Sequence, residues 1–230
     1  MPLLWLLQLS DTALPIGALS HSYGLETLTV EHSLEADGLE AFLGEHLEEI
    51  GSLEIHFCGA AYRLGIAGRD QFPIAQWLNL NMQCSAFKLA RESRNASVML
   101  GGRLLRLVNG LSGAPILGAA IAAAQATETD IHHCAAFGLA GAALGIDEES
   151  TLLAYGHQSL SNLISACQRL LPLGQTQATR MLWDLKPLLA ELVRRAQEND
   201  FDIDKVACFA PLVEVGSMRH PALPTRLFIS

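Results

Sequence analysis

An all-α fold, a single-domain bundle of about ten helices, is what this sequence predicts, and three observations predict it. Half of the residues (50%) are hydrophobic and only 17% charged, which supplies a core and excludes disorder. Leu and Ala recur throughout while aromatics reach only 6%, a mixture that keeps its rotamer freedom in a helix and lacks the branched and aromatic surface that sheets favour. Apolar residues also return every three or four positions over long stretches. A length of 230 residues fits one domain, 1–230, with an irregular opening over 1–22 and a C-terminal tail over 209–230.

Taken in order, the chain opens with Asp11, Pro15, Gly17 and Gly24 as punctuation. A helical run starts near Tyr23, and a clearer one spans 39–50, with Leu39, Phe42, Leu43, Leu47 and Ile50 on one stripe and Glu40, Glu45, Glu48 and Glu49 around it. Asp37 and Gly38 mark its start. Residues 53–67 are ambiguous, because Leu53, Ile55 and Phe57 alternate like a strand before a helical continuation. Pro73 opens a helix carrying Trp77, Leu78 and Met82, and 85–108 reads as one long helix with Gly101-Gly102 as a bend point. Helices over 113–126 and 131–145 follow. The glycines and alanines of the second (Gly138, Gly141, Gly145) let neighbouring backbones close in, the mark of a central helix. Further helices cover 148–171 and 177–197, the latter interrupted by Pro187. Beyond Phe209 periodicity is lost, and Pro211, Pro221 and Pro224 argue against a helix there.

Several function classes are excluded. A net charge of −9 opposes general nucleic-acid or anionic-membrane binding, both of which need a basic footprint. Five scattered cysteines without a CxxC pair fit a reducing cytoplasm. The opening MPLLWLLQLSD has neither a basic n-region nor a cleavage site, so it does not read as a signal peptide. The uncharged stretch 107–127 contains Asn109, Pro115 and Gln125 and reads as a loop and a buried helix rather than a membrane span. So little charge leaves apolar surface to be buried against other subunits.

No motif of catalysis stands out. There is no GxxxxGK[ST] loop, and Ser20-His21-Ser22 has no elbow or orienting acid, so local turn bonding is its reading. His132 and His133 are neighbours whose side chains diverge on a helix; His46 with Glu49 is an i,i+3 pair on an acidic helix. No metal site and no cofactor are expected. Lys88, Arg91, Arg94, Arg103 and Arg106 form a basic stripe, either paired internally with glutamates or a docking strip for an acidic partner.

Four blocks carry a resemblance: LLQLSDTALPIGALSHSYGLET at the start, HHCAAFGLAGAALGI in the middle, LSNLISACQRLLPLGQT after it, and FAPLVEVGSMRH with TRLFIS at the end. In this order they resemble the urease accessory protein family UreF over essentially the whole chain. One departure is that Pro221 follows His220 and Pro224-Thr225 precedes Arg226, which stiffens the tail. The resemblance implies an all-α homodimer that assembles with the accessory protein UreD/UreH and the GTPase UreG on apo-urease. It contributes surfaces and a passage for nickel rather than bond-making chemistry. It also implies a tail that orders on UreD/UreH, with Phe209, Pro211, Met218, Arg219, His220, Arg226 and Phe228 as contacts. Tyr23 and Glu26 match the YGLE segment and are expected on the UreG-facing surface; Arg169 matches the arginine before PLGQ. A GTPase-activating arginine finger and a nickel-binding role through His46 or His132 are the alternatives.

Overall fold

The computed structural model describes residues 1–68 and 71–230. Among them the chain forms helices α1 (Pro2–Leu9), α2 (Leu25–Val30), α3 (Leu39–His46), α4 (Ser52–Ala67), α5 (Ile74–Phe87), α6 (Arg91–Ser112), α7 (Pro115–Ala126), α8 (His133–Ala143), α9 (Glu148–Leu170), α10 (Gln175–Asp184), α11 (Lys186–Glu198) and α12 (Pro211–Arg219), and no strand. A π-type turn at Leu47–Gly51 joins α3 to α4, and α10 meets α11 at Leu185, so these helices make ten separate rods, in line with the predicted all-α bundle. None of them is long and apolar enough to cross a membrane.

The core is organised around α8, which is buried from His133 through Ala142 and packs between α4 and α6 with α9 alongside. Its small residues make this possible. A Cβ on Gly138 would sit 1.9 Å from the Cys58 carbonyl oxygen of α4, and one on Gly141 would sit 2.4 Å from the Thr151 methyl of α9. The central role predicted for this segment is therefore what packing requires. Local signals set other boundaries: the Asp147 carboxylate accepts from Ser150 N at 2.8 Å to start α9, and Pro115 opens α7.

The structure departs from the sequence reading in several places. The irregular opening contains α1, because Pro2 suits a first helical turn and Leu6 and Leu9 find an apolar seat on the core. The ambiguous run is wholly helical, since Leu53, Ile55 and Phe57 are all buried in a helix covered on more than one face. The long helix predicted over 85–108 is two. Lys88 is drawn inward to Glu54, and the Glu214 carboxylate accepts from Ala90 N at 2.5 Å where α6 begins. Gly101 lies within the unbroken α6, where it lets the Ile131 carbonyl approach to 2.2 Å from where a Cβ would stand. The tail holds α12, because Pro211 falls at a helix start, where its missing N–H costs nothing.

Candidate protein-binding surface

Residues far apart in sequence meet where the two ends of the chain touch. Tyr23 (φ 51) and Gly24 (φ 87) are both left-handed and turn the chain into α2. A Cβ on Gly24 would lie 2.7 Å from the Val213 carbonyl oxygen, and one on Gly216 would lie 3.0 Å from the Gly24 carbonyl oxygen, so α12 is seated directly on this turn. Ser93 of α6 donates to Ser217 at 2.9 Å behind it.

Glu26 then points inward, 2% exposed, and clasps the tail. Its carboxylate accepts from His220 Nε2 at 2.7 Å, from Leu227 N at 2.5 Å and from Phe228 N at 3.2 Å. Two backbone bonds extend the clasp, Ile229 N to Ser20 O at 2.8 Å and Ser22 N to Ser230 O at 2.5 Å, while His21 Nδ1 and Ser230 Oγ share a hydrogen bond of 2.6 Å. The Arg169 guanidinium closes the far side. It donates to Leu19 O at 3.0 Å and to Leu227 O at 3.4 Å, and its Cζ lies 4.1 Å from the centroid of the buried Phe228 ring. The tail expected to order only on a partner is thus packed on its own chain, because a buried carboxylate offers its backbone donors the acceptor they need. Glu26, His220 and Phe228 form the clasp and are not exposed contacts.

What the clasp leaves outside is apolar. On α12, Val213, Gly216 and Ser217 face in, as does His220 just past its end, and Leu212, Val215 and Met218 face out, with Met218 48% exposed. Leu227 and Ile229 are exposed on the tail, and Leu19 beside Arg169. Arg226 is exposed, and Arg219 pairs with Glu31 at 3.0 Å. Phe209, 79% exposed, and Pro211 stand at the opposite end of α12, where Phe209 N donates to Glu49 at 2.6 Å. So the structure brings Glu26, Arg169, His220 and Phe228 together and sets Phe209 and Pro211 apart from them.

Beneath this surface lies a polar chamber of about 50 Å³, lined by Tyr23, His46, Glu54, Lys88, His133, Tyr155 and Asn162 among others and roofed by Val213 and Glu214 of α12. Lys88 Nζ and Glu54 Oε1 are 2.5 Å apart, and the Tyr155 hydroxyl donates to Glu54 Oε2 at 2.7 Å. Burial pushes the Glu54 carboxyl up, but the Lys88 charge and hydrogen bond, with that of Tyr155, outweigh it and hold the group below its ordinary range. Burial also lowers His46 and His133 to about 4, so both rings are neutral near pH 7. Among the described residues His46 Nδ1, His133 Nε2 and Asn162 Oδ1 are buried without a hydrogen-bond partner, and a chamber of this size and polarity has room for water.

The predicted basic stripe divides: Lys88 pairs internally with a glutamate, while Arg91, Arg103 and Arg106 stay exposed. Lys88 lies between α5 and α6 and pairs internally, Arg94 donates to Lys88 O at 3.1 Å, and Arg103 donates to Ile16 O at 3.0 Å. His132 bonds to Ser85 Oγ at 2.7 Å and Ser97 Oγ at 3.1 Å, diverging from His133 as expected. No group of three or more His, Cys, Asp or Glu is placed to hold a metal ion among the described residues. Sequence reasoning missed Glu54, whose signal was a single charge inside the apolar run Leu53–Phe57, and Leu212 and Val215, whose three-residue spacing between Pro211 and Arg219 is legible.

The fold and this surface define an all-α protein whose two termini are clasped together under exposed apolar side chains. A family model described as UreF matches residues 34–186. Along 99% of its length the chain is similar to a urease accessory protein UreF of Picosynechococcus sp., 34% identical over 233 residues and 98% of that relative, and to one of Geobacillus kaustophilus, 30% identical over 231 residues and 98% of that relative. A urease accessory protein UreF of Lachnoclostridium phytofermentans is 32% identical over 232 residues, covering 98% of this chain and 97% of the relative. The chain belongs to the UreF family.

Proposed function

We propose that this chain is a non-catalytic, cytoplasmic urease accessory protein, a homodimeric scaffold for loading nickel into apo-urease. In this reading a UreD/UreH-type accessory protein takes the tail surface, and the GTPase UreG faces the flank formed by Tyr23 and Arg169. Family membership supports the urease role. The observation that carries the docking role is the outward apolar stripe of α12, which turns Leu212, Val215 and Met218 to solvent while Val213, Gly216 and Ser217 face inward. A surface-exposed apolar stripe of this kind is characteristic of a protein interface. The arginine-finger alternative gains less support, because the Arg169 guanidinium is engaged with Leu19, Leu227 and Phe228.

Co-purification with UreD/UreH, UreG and apo-urease tests the reading. The full chain is expected to assemble. A variant ending at Cys208 and the triple variant Leu212→Glu, Val215→Glu, Met218→Glu are each expected to lose the UreD/UreH partner by at least tenfold in affinity, since interface anchors contribute about 2 kcal/mol or more each. A triple variant that keeps its circular dichroism and still assembles fully overturns it. Arg169→Ala with intact assembly but lost acceleration of GTP hydrolysis would move the function to the arginine finger.

A further inference from the structure

All five cysteines are free thiols, yet two of them touch. Cys84 on α5 and Cys134 on α8 are buried, and their Sγ atoms are 3.7 Å apart, close enough for one S–H to donate to the other sulfur. A disulfide needs about 2.05 Å, so the two sulfurs must close by about 1.7 Å. The surroundings differ for the two thiols. Burial pushes Cys84 up, but its hydrogen bond with Cys134, the neighbouring His132 imidazole and the Lys88 ammonium outweigh this and lower it; burial and the Cys84 neighbour hold Cys134 high. One sulfur is thus disposed to act as nucleophile and the other to resolve.

We propose that Cys84 and Cys134 are a redox modification site that closes into an intrachain disulfide, with hydrogen peroxide, small and uncharged enough to enter a closed core, as the oxidant. The Cys84 thiolate attacks one peroxide oxygen and the O–O bond breaks. This leaves Cys84 sulfenic acid and a hydroxide that takes up the proton the thiol released, making the first water. The Cys134 sulfur then attacks the Cys84 sulfur, the S–O bond breaks, and the departing hydroxide takes the Cys134 proton. Two thiols lose two electrons, one peroxide gains them, and two waters result. The bond ties α5 to the start of α8, beside the His133 wall of the polar chamber.

The test is a peroxide titration of the purified full-length chain, with thiols counted after denaturation. The count is expected to fall from five to three, with the mass lower by two hydrogens, one cross-linked peptide joining Cys84 to Cys134, and full reversal by dithiothreitol. The oxidised chain is expected to melt at a higher temperature. Cys84→Ser, which lacks the nucleophile, is expected to retain its remaining four thiols at the same dose, whereas Cys134→Ser, which lacks only the resolving thiol, is expected to fall from four to three as Cys84 stops at the sulfenic acid. If either variant fails to fold, the wild-type peptide map decides alone. A wild-type count that stays at five, a bridge between other cysteines, or oxygen added at Cys84 or Cys134 without a bridge overturns the proposal.

Discussion

Replacing Glu26 with Ala releases the tail clasp. The substitution removes the acceptor for three donors, His220 Nε2, Leu227 N and Phe228 N, at 2.7, 2.5 and 3.2 Å. Hydrogen bonds to a charged acceptor contribute about 1.5–3 kcal/mol each in closed surroundings, and the partly exposed tail regains some of this from water. At about 1 kcal/mol net each, the clasp weakens by about 3 kcal/mol, and its opening equilibrium rises by about two orders of magnitude. The informative probes are amides that Glu26 does not touch, Ile229 N bonded to Ser20 O and Ser22 N bonded to Ser230 O. Hydrogen exchange at both is expected to speed up about 100-fold, by the same conversion, while amides of α8 keep their protection. Glu26→Gln, which keeps one carbonyl oxygen, is expected to fall between. Should Ile229 and Ser22 stay protected while Leu227 and Phe228 exchange freely, the carboxylate is only a local partner and the clasp is not one cooperative unit.

Three further outcomes follow from the interior. Lys88→Met strands the Glu54 carboxylate in the chamber and is expected to cost about 3–5 kcal/mol in urea denaturation, with much of the loss recovered by adding Glu54→Gln, which keeps the Tyr155 bond without a charge. Gly138→Ala drives a methyl against the Cys58 carbonyl oxygen, 1.9 Å away, and is expected to cost about 3 kcal/mol, lowering the melting temperature by roughly 6–12 °C. His46 and His133 titrate near 4 in the folded chain and 6.5 when unfolded, so between those values the unfolded state binds more protons and stability rises with pH. Denaturation midpoints are expected to be flat above 6.5 and to fall toward pH 4 by at most about 3 kcal/mol per ring, and His133→Leu is expected to remove one proton's share of the slope.

Much of the architecture was written in local pattern. The small-residue run around Gly138 announced a buried central helix, and Pro187 marked the interruption where α10 gives way to α11, because close backbone approach and helix breaking depend on residues near in sequence. The misread segments have a common cause. Over 1–22 and beyond Phe209, punctuation by Pro and Gly outweighed weak periodicity, although Pro2 and Pro211 stand where a helix accepts them. The continuity predicted across Lys88 failed because the residue's partner, Glu54, is 34 positions away.

The sequence by itself determined that this chain is helical, which helix lies at its centre, and that four blocks along it, two of them at its ends, resemble one family, all of which follow from composition, spacing and motif. Only the tertiary structure decided that those ends meet. Glu26 and Arg169 are ordinary charges until the fold places tail amides, 201 and 202 residues on, against the first and the Phe228 ring under the second. Side-chain direction and long-range pairing are set by packing of the whole bundle, so which charges turn inward and which leucines of α12 stay outside was fixed only when the core closed.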